Sequence, residues 1–138
     1  MGTQQNKERM LRFIEGYQNG GDEAVLQDTI ADDFVDHTNF PGLPAGRPGV
    51  KAIFDMFRSA FPDFHSEVLD QAAEGDKVWT YKTFSGTHRG ELMGIPPTGR
   101  EVAWTLIDIV RIRDGQIVEH WNVVDLMGLM QQLGAVAS

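Results

Sequence analysis

The chain contains no cysteine, so disulfides, thiol nucleophiles and thiolate metal sites are excluded. No apolar run approaches the ~20 residues of a membrane-spanning helix. The N-terminal MGTQQNKERM lacks the apolar stretch of a secretion signal, and a cytoplasmic location is the expectation. Positive charge is scarce: 12 Lys and Arg against 20 Asp and Glu give a formal net charge of −8. The basic residues are scattered, which argues against nucleic acid or an anionic membrane as partner. The four histidines show no His-x-His or His-Glu-x-x-His spacing, so no metal is expected. Ser59, Ser66, Ser85 and Ser138 lie in no recognisable nucleophile setting, and no glycine-rich phosphate cradle occurs.

What is present reads as one domain over residues 1–138, with 41% hydrophobic and 23% charged residues, enough to bury a core. Met10, Leu11, Phe13, Ile14 and Tyr17 recur at helical spacing, predicting a helix over 4–18 that Gly20-Gly21 stops. Asp22 is placed to cap a second helix reaching about Ala31. DDFVDH reads as a short extended piece before a Pro/Gly-rich loop. Pro48 starts a third helix, from Gly49 to about Phe61, and Pro62 ends it. Thereafter the pattern turns to strands: HSEVLDQAAEG, KVWTYKTFSGTH, VAWTLIDIVRIR and QIVEHWNVVD. A short helix over Leu126–Leu133 follows, with Asp125 as its cap. Helices first and an antiparallel meander afterwards predict an α+β fold, with helices closing a curved sheet over a cavity.

The facing of the last two strands decides what that cavity contains. If Asp114-Gly115 forms a two-residue turn, Arg113 pairs with Gln116 and Asp108 lies opposite Trp121. If Gly115 instead carries a bulge, Ile112 pairs with Gln116, Asp108 faces His120 and Leu106 faces Asn122. Val102, Trp104, Leu106, Asp108, Val110 and Ile112 form the bulkier face, which suits the interior. The bulged register matches it with Val118, His120, Asn122 and Val124. Asp108, His120 and Asn122 then cluster inside. Glu119, Trp121 and Val123 fall outside with Ile107 and Ile109, a partly apolar face that suggests a subunit interface.

GTHRGELMGIPPTGREV (86–102) and IVRIRDGQIVEHWNVVDLMGLMQQLG (109–134) resemble the SnoaL-like polyketide cyclase family, within the NTF2-like superfamily. DDFVDH and the Pro/Gly loop fit the same pattern, so the resemblance spans nearly the whole chain. It implies an α+β barrel: a cone with N-terminal helices packed in the concave face of a strongly curved, mostly antiparallel sheet. It also implies a homodimer or higher homo-oligomer. Enzymes of this family close the last ring of anthracycline-type polyketide esters by intramolecular aldol condensation, without metal or organic cofactor. Their acid/base is an aspartate near the end of the final long strand, aided by a histidine on the adjacent strand. Asn122 occupies the aspartate's position here and Asp108 the histidine's. Asn exchanges no proton near neutral pH, so any chemistry must be arranged differently.

The residues present offer such an arrangement. Asp108 sets the tautomer and basicity of His120, His120 acts as acid/base, and the Asn122 amide donates to an enolate or carbonyl oxygen. A buried Asp–His pair and a hydrogen-bonded Asn also occur as plain core structure. His37, before the Pro/Gly loop, and His88, after a strand, are candidate pocket groups or surface residues; His65 is expected to be exposed. Tyr17, Phe40, Phe57, Phe61, Leu92, Met93, Trp104 and Leu106 are candidates to line an apolar cavity, although core packing accounts for such residues equally well. Leu92–Pro97 is placed to form a lid. The function expected is cofactor-free acid/base chemistry, aldol or isomerisation, on a hydrophobic carbonyl compound. The alternatives are a non-catalytic carrier of such a compound, and an epoxide hydrolase, which needs an inward Asp–Arg–Asp relay. Arg111 and Arg113 fall on the wrong face for that relay.

Overall fold

The computed structural model describes residues 2–136. Helix α1 (Thr3–Arg12) turns Asn6 and Met10 inward and runs directly into a π-helical segment, Phe13–Asn19. The single regular helix expected here therefore has two geometries. The wider turn carries Phe13, Ile14, Tyr17 and Gln18 together to the buried side. Gly21, at φ 65°, reverses the chain, and Asp22 Oδ1 accepts from the Ala24 amide at 2.9 Å to cap α2 (Glu23–Thr29). Helix α2 delivers β1 (Ile30–Asp36) without a loop. Helix α3 (Arg47–Ala60) has Pro48 in its first turn and buries Val50, Ile53, Phe54 and Phe57 on one face.

Strands β2 (His65–Glu74), β3 (Lys77–Thr87), β4 (Glu101–Arg113) and β5 (Gln116–Val124) form an antiparallel meander. Strand β1 joins the far side of β5 in parallel, giving the order β1-β5-β4-β3-β2 in a curled, open sheet. The C-terminal helix α4 (Leu126–Gln132) packs on β4, and Asp125 Oδ1 caps it by accepting from the Gly128 amide at 2.9 Å. No helix among the described residues is long and apolar enough to cross a membrane.

Alternation along β3 and β4 is strict. Val78, Thr80, Lys82 and Phe84 are buried on β3, and Val102, Trp104, Leu106, Asp108, Val110 and Ile112 on β4. Both rows face the helices, and aromatic rings from α3 meet them: Phe57 lies 5.6 Å from Phe84 and 6.0 Å from Trp104, centroid to centroid. On the outer face Val35, Tyr81, Ile107 and Val123 remain exposed.

The β4–β5 register corrects the expectation. Asp114 and Gly115 take φ of 54° and 77°, so they form the two-residue turn, and Arg113 pairs with Gln116. The bulge lies further along β5. Ile112 pairs with Ile117, but Arg111 pairs with Glu119, leaving Val118 as the extra residue. Ile117 and Val118 are both buried, which holds the irregularity in place. The inner face is the one expected, but its pairings are shifted: Asp108 lies opposite Asn122, and His120 opposite Val110.

Candidate active site

Four strands each contribute one ionisable side chain to the concave surface. Lys82 comes from β3, Asp108 from β4, His120 from β5 and Asp36 from β1. Lys82 lies diagonal to Asp108 because its direct partner is Leu106, and Asp108 is likewise diagonal to His120. Asp36 pairs with His120 across the parallel β1–β5 ladder. The result is a row of alternating sign. Lys82 Nζ lies 2.5 Å from Asp108 Oδ2, His120 Nε2 is 2.7 Å from Asp108 Oδ1, and His120 Nδ1 is 2.8 Å from Asp36 Oδ1. Gln18, brought inward by the π-helical segment, ends the row by accepting from Lys82 Nζ through Oε1 at 2.8 Å.

The electrostatics follow from burial and neighbours. Burial alone would push His120 down, but its hydrogen bonds to Asp108 and Asp36, and their charges, outweigh this and raise its pKa to about 9. His120 is therefore an imidazolium at neutral pH, with both ring nitrogens donating to carboxylates. Burial would raise Asp108, yet the Lys82 ammonium and then His120 hold its carboxyl well below the usual carboxylate range. Lys82, 0% exposed, is depressed by its complete removal from water, an effect Asp108 partly offsets.

The row borders a cavity of about 350 Å³, walled by Phe13, Phe34, Ile53, Phe54, Phe57, Phe84, Trp104, Leu106 and Val110. Asp36, Asp108, His120 and Asn122 supply much of its polar lining, with Thr38 and Asn39 near Phe40 and Met93. Asp36 Oδ1 takes both the His120 ring and the Thr38 amide (3.1 Å), so Oδ2 has no partner among the described residues. Asn122 uses its backbone amide on Thr38 Oγ1 at 3.0 Å, and its side-chain amide is unbonded among the described residues. A free carboxylate oxygen and a free amide thus share one apolar hollow.

Of the residues expected here, His120, Asp108, Asn122, Trp104, Leu106, Phe57, Phe40 and Met93 border the cavity. Five do not line it. Tyr17 and Phe61 are wholly buried behind the wall, Tyr17 stacked on Phe13 and Phe61 against Trp104. His88 is also buried: its Nδ1 accepts from the Thr98 amide at 3.2 Å, fastening the loop between β3 and β4. Leu92 is tucked under that loop, bonded to Ile95 in a tight reversal, and only the next residue, Met93, reaches the cavity. His37 lies on the outer side, 2.9 Å from Glu119 and stacked on Trp121 at 4.7 Å. His65 is exposed. Arg111 pairs with Asp76 and Glu119, and Arg113 with Asp33, so neither guanidinium enters the row.

Asp36 and Lys82 escaped the sequence reading. For Lys82 the signal was on the page: an inward position in the alternation of Val78, Thr80 and Phe84. For Asp36 it was weaker. Phe34 and Asp36 alternate with Val35, but nothing local reveals that β1 lies beside β5.

A curled sheet around an aromatic cavity with an inward carboxylate–imidazole row defines an α+β cone of the NTF2-like type. The model of the SnoaL-like polyketide cyclase family matches residues 8–133, and the chain belongs to that family. It is 30% identical over 128 residues to DauD, an aklanonic acid methyl ester cyclase of Streptomyces sp. strain C5, covering 89% of this chain and 78% of that protein. Among solved structures it is similar to TsrD of Streptomyces laurentii (33% identity, TM-score 0.88, 99% of each chain covered). It is also similar to IdmH, a polyketide cyclase candidate of Streptomyces antibioticus, at 36% identity and a TM-score of 0.82, with 94% and 98% of the two chains covered.

Proposed function

We propose that the chain closes a ring in a hydrophobic polycarbonyl compound by intramolecular aldol chemistry, with Asp36 as the base. The observation that carries this reading is that Asp36, with Oδ2 free, and Asn122, with its side-chain amide free, line the same apolar cavity. Oδ2 removes a proton from a carbon flanked by carbonyls. The Asn122 amide donates to the enolate oxygen as charge develops there. The enolate carbon attacks a second carbonyl carbon of the same molecule, forming the C–C bond, and the resulting alkoxide recovers the proton from Asp36. Atoms balance, and the step is an isomerisation. His120, already protonated, holds Asp36 in place through Nδ1 and balances its charge. A carboxylate is a weak base, so the reading requires an activated carbon of the β-dicarbonyl kind.

The relatives support the class of reaction: DauD is an aklanonic acid methyl ester cyclase. The test is turnover on aromatic polyketide methyl esters and simpler β-dicarbonyls. Asp36→Asn should lower kcat by about 10²–10⁴-fold, and Asn122→Ala by about 10²-fold, with ligand affinity nearly kept. His120→Ala and Asp108→Asn, which disorder the row, should also abolish turnover. Unchanged rates in Asp36→Asn would remove Asp36 from the role. A chain that binds such compounds, with no turnover in wild type, would instead be a carrier, the reading favoured by an Asn where the family's acid/base aspartate stands.

A further inference from the structure

Lys82 is the one member of the row that does not line this cavity. A lysine with 0% exposure is an expensive residue to keep in a core, and a hydrophobic replacement of similar length would pack at its position without the loss of hydration. Its ammonium nevertheless makes three specific contacts, to Asp108 Oδ2 at 2.5 Å, to Gln18 Oε1 at 2.8 Å and over the Phe84 ring at 4.6 Å. The π-helical segment supplies Gln18, so two elements are shaped around this one cation.

We propose that Lys82 is a positioning residue that claims Asp108, thereby limiting how tightly His120 holds its proton and leaving Asp36 as the carboxylate that acts on substrate. The proposal deepens the reading of Asp36 as base and rests on it. The physical argument is charge balance. With Lys82 the buried row carries two cations and two anions. Without it, one imidazole serves two carboxylates with no counter-charge. His120 would then bind its proton more tightly, and the row would take up a further proton on a carboxylate, occupying the base.

The ionisable groups facing one another are Lys82 from β3, Asp108 from β4, His120 from β5 and Asp36 from β1. Thr80 and Gln18 are neutral. Helix α3 turns Val50, Ile53, Phe54 and Phe57 inward, and its Arg58 guanidinium bonds the backbone carbonyls of Tyr17 and Gln18 rather than a carboxylate of the row.

The experiment reads His120 directly, without substrate. Nitrogen-15 NMR of the imidazoles in the full chain, assigned with His120→Gln, gives the midpoint of His120 protonation. In Lys82→Met that midpoint should rise by at least one pH unit, a tenfold gain in proton affinity. A midpoint unchanged from wild type overturns the proposal. If Lys82→Met does not fold, Lys82→Gln, which keeps a hydrogen-bond donor toward Asp108 without the charge, is titrated instead. Its midpoint should again lie at least one unit above wild type, and a midpoint equal to wild type overturns the proposal. These readings are independent of turnover. If Asp36→Asn remained fully active, the base assignment would fail while the titration still reported whether Lys82 governs His120.

Discussion

At the scale of single residues the site is governed by one imidazole between two carboxylates. His120 has a pKa of about 9 in the fold, against ~6.5 in an unfolded chain. A group whose pKa is raised on folding stabilises the fold fully below its unfolded value and loses that contribution as pH rises through the folded one. Thermal stability should therefore fall between pH ~6.5 and ~9, and His120→Gln should flatten that fall. Asp108, depressed by Lys82 and His120, acts in the opposite direction: its contribution is present above the ordinary carboxylate value near ~4 and is lost on acidification. Melting curves across pH check both limbs. A stability of His120→Gln that declined as steeply as wild type over the alkaline window would contradict the two-carboxylate geometry.

At the scale of elements the decisive feature is the Val118 bulge. A tight Asp114-Gly115 turn alone sets a register that puts Trp121 across from Asp108 and points His120 outward. One extra residue in β5 reverses the facing of everything beyond it. Deleting Val118 removes only the extra residue and leaves Arg111 opposite Glu119 and Val110 opposite His120, so His120 and Asn122 should stay inside and ligand binding should be retained. Val118→Ala should likewise retain binding, as ligand titration would show. Loss of binding in a folded deletion variant would mean that the bulge itself, and not only the register beyond it, shapes the cavity. This element also shows the limit of pattern reading. Alternation on β4 identified the inner face correctly, since Trp104, Leu106 and Asp108 share it with Val110. It could not locate the bulge, because Ile117 and Val118 are both apolar and either facing suits them.

At the scale of the whole molecule, the four helices, the first ending in its π-helical segment, and a curled sheet enclose a hollow that their side chains leave unfilled. A ligand that fills it binds only the folded state, and at a concentration 100-fold above its Kd adds about 2.7 kcal/mol of stability. A hydrophobic carbonyl compound of the proposed class should therefore raise the melting temperature. Leu106→Trp, which fills the same space, should remove that rise while leaving the protein folded. A ligand-induced rise of undiminished size in Leu106→Trp would place the binding site outside this cavity.

The sequence by itself determined the helices-then-meander order, the inward row of β4, the caps at Asp22 and Asp125, and the family. These are set by local periodicity and by neighbours a few residues apart. Tertiary structure alone decided that β1 lies beside β5, that Gln18 turns inward, and that Tyr17, Phe61, His88 and Leu92 stand behind the wall rather than on it. The physical reason is distance along the chain: Asp36 meets His120 across 84 residues and Lys82 meets Gln18 across 64. Partnerships of that span are chosen by the packing of the whole, and no local pattern records them.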